Sequence, residues 1–239
     1  MGNLRAILIL LGFLALTLPL MPVQLVMRSR RLPWVYHRIL CKLLGMTIIF
    51  KGALPPKPAL LVANHVSWLD IPVLSAVLPV SFIAKREVST WPLFGWMAKL
   101  QHTVFVDRDR RQTTATKRNE ITARLESGDC LVLFPEGTST DGTQVLPFKS
   151  AYFGAVEGLD VAVVPVTLTY LGRPKFYAWY GEMDLAPHLW TVIKSGSIKV
   201  QVEFDAVLAK ADRKTTAREA EVRIRRSLDK FLKSARDAP

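Results

Sequence analysis

The stretch ALLVANHVSWLD, residues 59–70, decides the fold that we expect for this chain. It begins with an apolar run typical of a buried strand and passes directly into Asn64 and His65. In an α/β domain, residues that follow the carboxyl end of a strand lie at the sheet edge, where reactive groups are common. We therefore expect His65 at such an edge and Asp70 at the start of the next helix.

His65 and Asp70 are candidates for a catalytic pair. From the start of a helix, the Asp70 carboxylate could turn back to hold the imidazole ring of His65. An imidazole held in this way is a general base that can take a proton from a hydroxyl. The alternative is that Asp70 only caps the helix that begins at residue 71, a common position for aspartate. The segment by itself is compatible with both interpretations.

The rest of the chain alternates short apolar, β-branched runs with helical stretches. We predict strands at residues 47–51, 59–63, 80–84, 103–107, 130–134, 161–170, 175–179 and 197–204. We predict helices at residues 71–78, 93–100, 113–127, 151–157 and 216–235, the last opening with a capping box at Thr216. This alternation predicts an α/β fold with a mixed central sheet flanked by helices.

The amino-terminal segment, residues 6–27, is apolar and carries no charge. As a helix it would be about 33 Å long, enough to cross the hydrocarbon core of a bilayer. Pro19 and Pro22 are expected to kink or end that helix. Residues 33–44 combine aromatic, basic and leucine side chains, which is typical of an interfacial helix.

We therefore expect a retained membrane anchor over residues 1–50, followed by a catalytic domain over residues 51–239. The anchor would span the bilayer once or dip into it as a helical hairpin. A secretory signal peptide is the alternative, but no convincing cleavage site follows the apolar run. The arginines after this run predict that the following domain lies on the cytoplasmic side of the membrane; they are Arg28, Arg30 and Arg31.

The chain is strongly basic, with 32 Lys and Arg against 20 Asp and Glu and a net charge of +12. This balance predicts an anionic partner, such as a membrane surface, a phosphate-bearing substrate or nucleic acid. A nucleic-acid binder needs a basic aromatic face or a recognition helix, and the sequence offers neither. Cys41 and Cys130 lack metal-ligand spacing and are expected to be small buried side chains in a reducing compartment.

A second informative segment is LFPEGTSTDG, residues 133–142, which follows a predicted buried strand and turns at Gly137. Its backbone amides and hydroxyls could receive a polar or anionic ligand group, and Glu136 could accept from hydroxyls. The lysine of a phosphate-binding P-loop is missing, and the chain has no Gly-x-Ser-x-Gly elbow. An ordinary turn is the alternative.

Two further segments complete the pattern. In VFVDRDRR, residues 104–111, a strand leads into arginines whose planar forks suit phosphate oxygens, and Arg108 is nearest to that strand. In VAVVPV, residues 161–166, Pro165 cannot donate to a ladder and therefore marks a strand edge, a bulge or a strand end.

These four segments, in this order, resemble the glycerolipid acyltransferase family that acylates lysophosphatidate, over about residues 50 to 205. Asn64, His65 and Asp70 match the first block of that family, and residues 134–138 match the Phe-Pro-Glu-Gly-Thr block without change. The two looser blocks are matched at Phe105, Val106 and Arg108 and at 164–166, with His102 in place of a glycine.

The resemblance implies transfer of a fatty acyl group from acyl-CoA or acyl-ACP, as co-substrate, to a lipid hydroxyl. His65 would be the general base and Asp70 would fix its tautomer, without a covalent acyl-enzyme, a metal or another cofactor. The implied substrate-binding residues, with the arginine on phosphate, are Asn64, Arg108, Glu136, Gly137 and Thr138. The implied partners are a lysolipid acceptor and anionic membrane lipids.

Lysophosphatidate is the first acceptor that the resemblance implies, with phosphatidate as product. Residues 179–190 look like those of a bacterial subgroup in which some members acylate lyso-ornithine lipid, so that acceptor is the alternative. His188 in this stretch is expected to be structural. A non-enzymatic, membrane-tethered protein that binds anionic lipid would explain the anchor and the charge, but not the spacing of His65 and Asp70.

Overall fold

The computed structural model describes residues 2–106 and 111–236. Seven strands in this part of the chain form one sheet in the order β1-β7-β6-β2-β5-β3-β4. Only the β6–β7 pair is antiparallel among the pairs formed by these strands, so the predicted mixed sheet is confirmed. The strands are β1 Met46–Lys51, β2 Ala59–Ala63, β3 Ser81–Lys85, β4 Val104–Val106, β5 Cys130–Leu133, β6 Ala162–Tyr170 and β7 Ile198–Phe204.

Helices cover both faces of the sheet, as predicted. They are α1 Gly2–Met27, α2 Leu32–Leu43, α3 Asp70–Val77, α4 Phe94–Leu100, α5 Arg111–Glu126, α6 Pro174–Tyr177, α7 Leu185–Lys194 and α8 Arg213–Arg236. Helix α1 continues through Pro19 and Pro22, so neither proline ends it. It is long and apolar enough to cross a membrane.

Three predicted elements are wrong in type or start. Residues 175–179 are not a strand, because Pro174 occupies the first turn of α6, a position that favours helix. The helix predicted at residues 151–157 is a short 3-10 helix, Ser150–Ala155. Helix α8 begins three residues before Thr216, because the Asp212 carboxylate accepts the amides of residues 214 and 215.

The two faces of β2 belong to two separate cores. Leu61 and Ala63 share a cluster with side chains of α1, α2, α3 and α7, and we call this the anchor face. Leu60 and Val62 share a cluster with side chains of α5 and α8, and we call this the opposite face. The apolar run 59–63 is therefore buried on both sides, which explains why it does not alternate with polar residues.

The parallel central strands bring the two main motifs to one edge of the sheet. Val62 pairs with Leu133 in β5 and with Pro165 in β6. Residues that follow β2 and β5 therefore leave the sheet side by side. Pro165 lies inside β6, but the ladder between β6 and β7 begins only at Val166. The predictions of a strand edge and of a strand end are therefore wrong, because Pro165 lies within a central strand, one residue before the ladder with β7 begins.

Candidate active site

His65 and Asp70 form a hydrogen-bonded pair at this edge. His65 follows the end of β2 and Asp70 is the first residue of α3, and Nδ1 of the imidazole lies 2.7 Å from Oδ2 of the carboxylate. Asp70 is fully buried, whereas the His65 side chain is 21% exposed. No residue in the described part of the chain hydrogen-bonds to Nε2 of His65. That nitrogen is therefore available to a substrate.

Every oxygen of the Asp70 carboxylate is used. Oδ2 also accepts the backbone amides of Val66 and Ser67, at 2.7 and 3.0 Å, and Oδ1 accepts the hydroxyl of Tyr170 at 2.7 Å. These donors stabilise the ionised carboxylate in a buried position. An ionised Asp70 requires a proton on Nδ1 of His65, which leaves the lone pair on Nε2.

The interpretation of Asp70 as a helix cap is wrong. The residue that caps α3 is Leu69, which makes no side-chain hydrogen bond to the helix. The amides that Asp70 accepts belong to residues 66 and 67, before the helix, rather than to its first turn. The carboxylate thus closes the loop from His65 back onto itself, and this closure aims the ring at Asp70.

Tyr170 is a member of this site that the sequence analysis missed. It lies at the end of β6 and is almost completely buried. Burial, with the negative charge of Asp70 as a second cause, raises the pKa of Tyr170 well above its usual value of 10. The phenol is therefore a constant donor to Asp70. The sequence contains no distinct signal for this residue, because Thr167 and Thr169 in the same strand also carry hydroxyls.

Glu136 contacts the main chain of His65 rather than its ring. Its Oε1 accepts the backbone amide of His65 at 2.8 Å, and its Oε2 accepts the amide of Leu146 at 2.7 Å. Burial raises the pKa of Glu136 to about 7. The carbonyl of His65 in turn accepts the amide of Thr140 at 2.9 Å. The segment after β5 therefore holds both main-chain polar groups of His65.

Asn64 also binds main chain. Its side-chain amide donates to the carbonyl of Leu168 at 3.0 Å, and its side-chain oxygen accepts the amide of Leu168 at 2.8 Å. Because Asn64 is fully buried, this pair extends the contact between β2 and β6 beyond the end of the ladder. The direction in which the chain leaves β2, and thus the position of His65, depends on it.

The other predicted substrate-binding residues lie at the edge of the site or outside the described residues. Gly137 has a φ of 80°, in the left-handed region that favours glycine, and the side chain of Thr138 is exposed. Both belong to the turn after Glu136. Arg108 lies outside the described residues, two positions after the end of β4. His102, which stands where the family pattern has glycine, has a φ of 59°, in the left-handed region that favours glycine.

An apolar cavity of about 380 Å³ lies beside the pair, on the anchor face. The imidazole of His65 stacks on Phe134, with ring centroids 4.2 Å apart, and Phe134 stacks on Phe82, which lines the cavity. Helices α1, α2, α4 and α7 supply much of the wall, together with Trp68 and Ile71. The indole N–H of Trp68 donates to Nδ1 of His188 at 3.1 Å, so His188 has a hydrogen-bond partner in the loop between β2 and α3.

The described residues contain no group of three His, Cys, Asp or Glu side chains that could hold a metal ion. The site therefore consists of an imidazole with a buried carboxylate behind it and an apolar cavity beside it. This arrangement can remove a proton from a hydroxyl of a ligand with an apolar portion.

Comparisons with known proteins agree with this chemistry. The family model described as "Acyltransferase" matches residues 46–169. A lyso-ornithine lipid O-acyltransferase of Brucella abortus (strain 2308) is 44% identical, over 97% of this chain and 96% of that protein. A 1-acyl-sn-glycerol-3-phosphate acyltransferase of Neisseria meningitidis serogroup B is 34% identical, over 66% of this chain and 63% of that protein.

The crystal structure of the 1-acyl-sn-glycerophosphate (LPA) acyltransferase PlsC from Thermotoga maritima has the same fold. Its TM-score is 0.70 at 21% identity, over 97% of this chain and 98% of that one. The fold and the matches together define the class of protein, an α/β enzyme that transfers acyl groups. The chain belongs to the acyltransferase family, and the resemblance seen in its sequence is confirmed.

Proposed function

We propose that this acyltransferase moves a fatty acyl group from a thioester to the free hydroxyl of a lysolipid, with His65 as general base. The observation that carries the proposal is the 2.7 Å hydrogen bond between Nδ1 of His65 and the buried carboxylate of Asp70. This bond leaves Nε2 as the acceptor for the hydroxyl proton.

In the proposed reaction, Nε2 of His65 removes the proton as the hydroxyl oxygen attacks the thioester carbonyl carbon. The carbon–sulfur bond then breaks, and the departing thiolate receives that proton from the imidazolium. Asp70 stabilises that imidazolium, and Tyr170 holds Asp70 in place. No acyl-enzyme is formed, because the hydroxyl of the acceptor is itself the nucleophile.

The residues proposed to contact the acceptor head group divide into two sets. Asn64 and Glu136 position His65, because their polar atoms already bind main chain. Arg108, Gly137 and Thr138 remain the proposed head-group contacts. Gly137 and Thr138 suit this function because they lie at the accessible turn after Glu136.

Lyso-ornithine lipid is the acceptor that we place first. Two relatives named lyso-ornithine lipid O-acyltransferases match 97% and 91% of this chain at 44% and 40% identity. Lysophosphatidate is the second candidate, because a relative named for that acceptor matches 66% of the chain at 34% identity. Arg108, as a proposed head-group contact, would also suit the phosphate of lysophosphatidate.

We propose the apolar cavity as the site of the fatty acyl chains. Its volume lies within the usual range for small-molecule sites, and its lining is almost entirely apolar. The cavity reaches the His65–Asp70 loop through Trp68 and Ile71. An acyl chain placed there would hold the reacting end of a lipid beside the imidazole.

The proposed location is the cytoplasmic face of a bacterial inner membrane, with α1 and α2 as a hairpin in one leaflet. Arg5, near the start of α1, donates to the carbonyls of Leu44 and Ile193, and Gln24, near its end, donates to Leu100. These two attachments are about 28 Å apart along the helix. These attachments at both ends of α1 support a helix that lies along the catalytic body rather than one that extends away from it across a bilayer.

The outward side of α1 exposes a row of large apolar side chains that suits lipid. Its members are Leu4, Ile7, Leu8, Leu11, Leu14 and Leu18. The arginines at residues 28, 30 and 31 follow at the turn to α2, where they suit the anionic cytoplasmic surface. In this orientation α1, which lines the cavity with Ile9, Leu10 and Phe13, would also contact the membrane.

The test is acyl transfer from a labelled acyl thioester to lyso-ornithine lipid and, separately, to lysophosphatidate, in detergent micelles. We expect His65→Ala to lower kcat by about 10²- to 10⁴-fold, the usual contribution of a general base. His188→Gln is the matched control, because glutamine can still accept from Trp68. We expect this control to retain most of the activity.

Wild-type activity in His65→Ala would overturn the assignment of the base. An equal loss in both histidine variants would also overturn it, because such a loss would reflect damage to the fold. The ratio of kcat/KM for the two lysolipids identifies the acceptor.

A further inference from the structure

Helix α8 carries half of the net charge of the protein. Its 24 residues include nine Lys and Arg against three Asp and Glu, a net charge of +6 out of +12. Two of the acids are already paired within the helix, Glu219 with Arg223 and Glu221 with Arg225. The proposed transfer reaction uses none of these charges.

Three basic side chains without ion pairs lie together in the second half of α8. Arg226, Lys230 and Lys233 are exposed and make no ion pair with a described residue. With Arg225, Val222 and Asp229 they line a shallow groove of about 510 Å³, which we call the α8 groove. Val222, at one end of this groove, is 51% exposed, and the other lining residues are charged.

The α8 groove lies on the side of the sheet away from the membrane anchor. Ala217, Ala220, Ile224 and Leu228 pack on the opposite face, whereas α1 and α2 pack on the anchor face. The outward side of α8 therefore points away from the lipid-facing side of α1. The basic side chains of α8 therefore face the aqueous phase.

The groove also lies towards the sheet edge that carries His65. Lys210, just before α8, pairs with Asp160 at the start of β6, whereas Arg223 reaches Asp205, whose amide donates to Pro165 inside β6. The helix thus runs in the same direction as β6. Residues after 223 therefore lie towards the carboxyl half of β6, and β2 ends beside Val166 in that half.

We propose that the α8 groove docks an acidic acyl carrier protein, which delivers the thioester to His65 from the aqueous side. This inference rests on the proposed function and names the partner that supplies its donor. A carrier protein holds the acyl thioester on a flexible arm, which can reach the sheet edge while the protein remains on α8. The acceptor lipid enters from the anchor face, so the two substrates approach from opposite sides. Opposite charges on the two proteins would accelerate their encounter.

The experiment compares two donors with the same acyl chain, acyl carrier protein and acyl-CoA, on the full-length enzyme in micelles. In the triple variant R226E/K230E/K233E we expect KM for acyl-ACP to rise about tenfold or more, with kcat unchanged at saturation. We expect KM for acyl-CoA to stay at the wild-type value, because coenzyme A does not need the α8 groove.

The matched control is K51E/K57E/K199E, which makes the same change in net charge at exposed lysines outside α8. We expect this control to behave like the wild type with both donors. If both triple variants raise KM for acyl-ACP equally, the change in net charge and not the α8 groove is responsible, and the proposal fails.

The remaining outcomes separate this proposal from the proposed function. An unchanged KM for acyl-ACP in the α8 variant overturns docking but leaves acyl transfer intact. An equal rise in KM for both donors indicates a site for the phosphates of coenzyme A, and a loss of binding to anionic vesicles indicates a membrane surface; either result overturns docking. Failure of the wild type with both donors overturns the proposed function itself.

Discussion

Two buried carboxylates lie at the same sheet edge and contact the same histidine in different ways. Asp70 binds the ring of His65, whereas Glu136 binds its backbone amide. Asp70 has three further donors, including a tyrosine hydroxyl, whereas Glu136 has one further donor, the amide of Leu146. This difference supports the proposal that Asp70 takes part in the reaction, whereas Glu136 positions the base.

Asp70→Asn should produce the largest effect on catalysis. The carboxamide nitrogen would face Nδ1 of His65 as a second donor, or would leave this nitrogen without its anionic partner. Either result disfavours the tautomer that the reaction needs, so we expect kcat to fall by about 10²- to 10⁴-fold. Steady-state kinetics with saturating lysolipid measures this loss. A decrease no greater than that of Glu136→Gln would remove the distinction between the two carboxylates.

Glu136→Gln should act mainly on stability and on its dependence on pH. Burial raises the pKa of Glu136 from 4.5 to about 7, so the folded protein keeps a proton that the unfolded chain has lost between these values. The free energy of unfolding should therefore decrease as pH rises from about 4.5 to 7, by about 3 kcal/mol in total from this group. Glutamine does not titrate, so the variant should lack this part of the decrease.

The measurement is thermal or urea unfolding of both proteins in detergent between pH 4.5 and 8. Only the difference between the two curves is used, because other groups titrate equally in both proteins. Parallel curves would show that Glu136 does not hold its proton as the buried site requires.

Tyr170→Phe should have the smallest effect of the three. It removes one neutral donor from the Asp70 carboxylate, and a hydrogen bond to a charged group contributes about 1.5 kcal/mol or somewhat more. We expect kcat to fall about tenfold with KM unchanged. Tyr177→Phe is the matched control, because that ring lies 5.9 Å from the Tyr170 ring but its hydroxyl bonds to Ser197. Equal kcat values in both variants would exclude a positioning function for Tyr170.

The sequence predicted local structure well where a signal lies within a few residues. The buried run at 59–63, the helix that follows Asp70 and the turn at Gly137 all depend on neighbours in the chain. The predicted strand at 175–179 failed because the proline in the first turn of a four-residue helix was the stronger signal. The start of α8 was misplaced because two candidate caps, Asp212 and Thr216, are only four residues apart.

The candidate site was predicted in its composition and in the contact of Asp70 with the His65 ring, but not in its other contacts. His65, Asp70 and Glu136 were recognised from two short motifs, and the structure brings all three together. That Asn64 and Glu136 bind main chain could not be predicted, because their partners lie 104 and 71 residues away. Tyr170 was missed for the same reason, since its partner Asp70 lies 100 residues away.

The sequence alone thus determined the alternation of strands and helices, the apolar anchor segment and the pairing of an imidazole with a carboxylate five residues later. These features arise from hydrophobic pattern and short-range geometry, which act between neighbouring residues. Only the tertiary structure decided what each polar atom of the motifs binds, because the parallel pairing of β2 with β5 and β6 brings distant segments to one edge. The same layered packing decided that α1 and the basic helix α8 lie on opposite faces of the sheet.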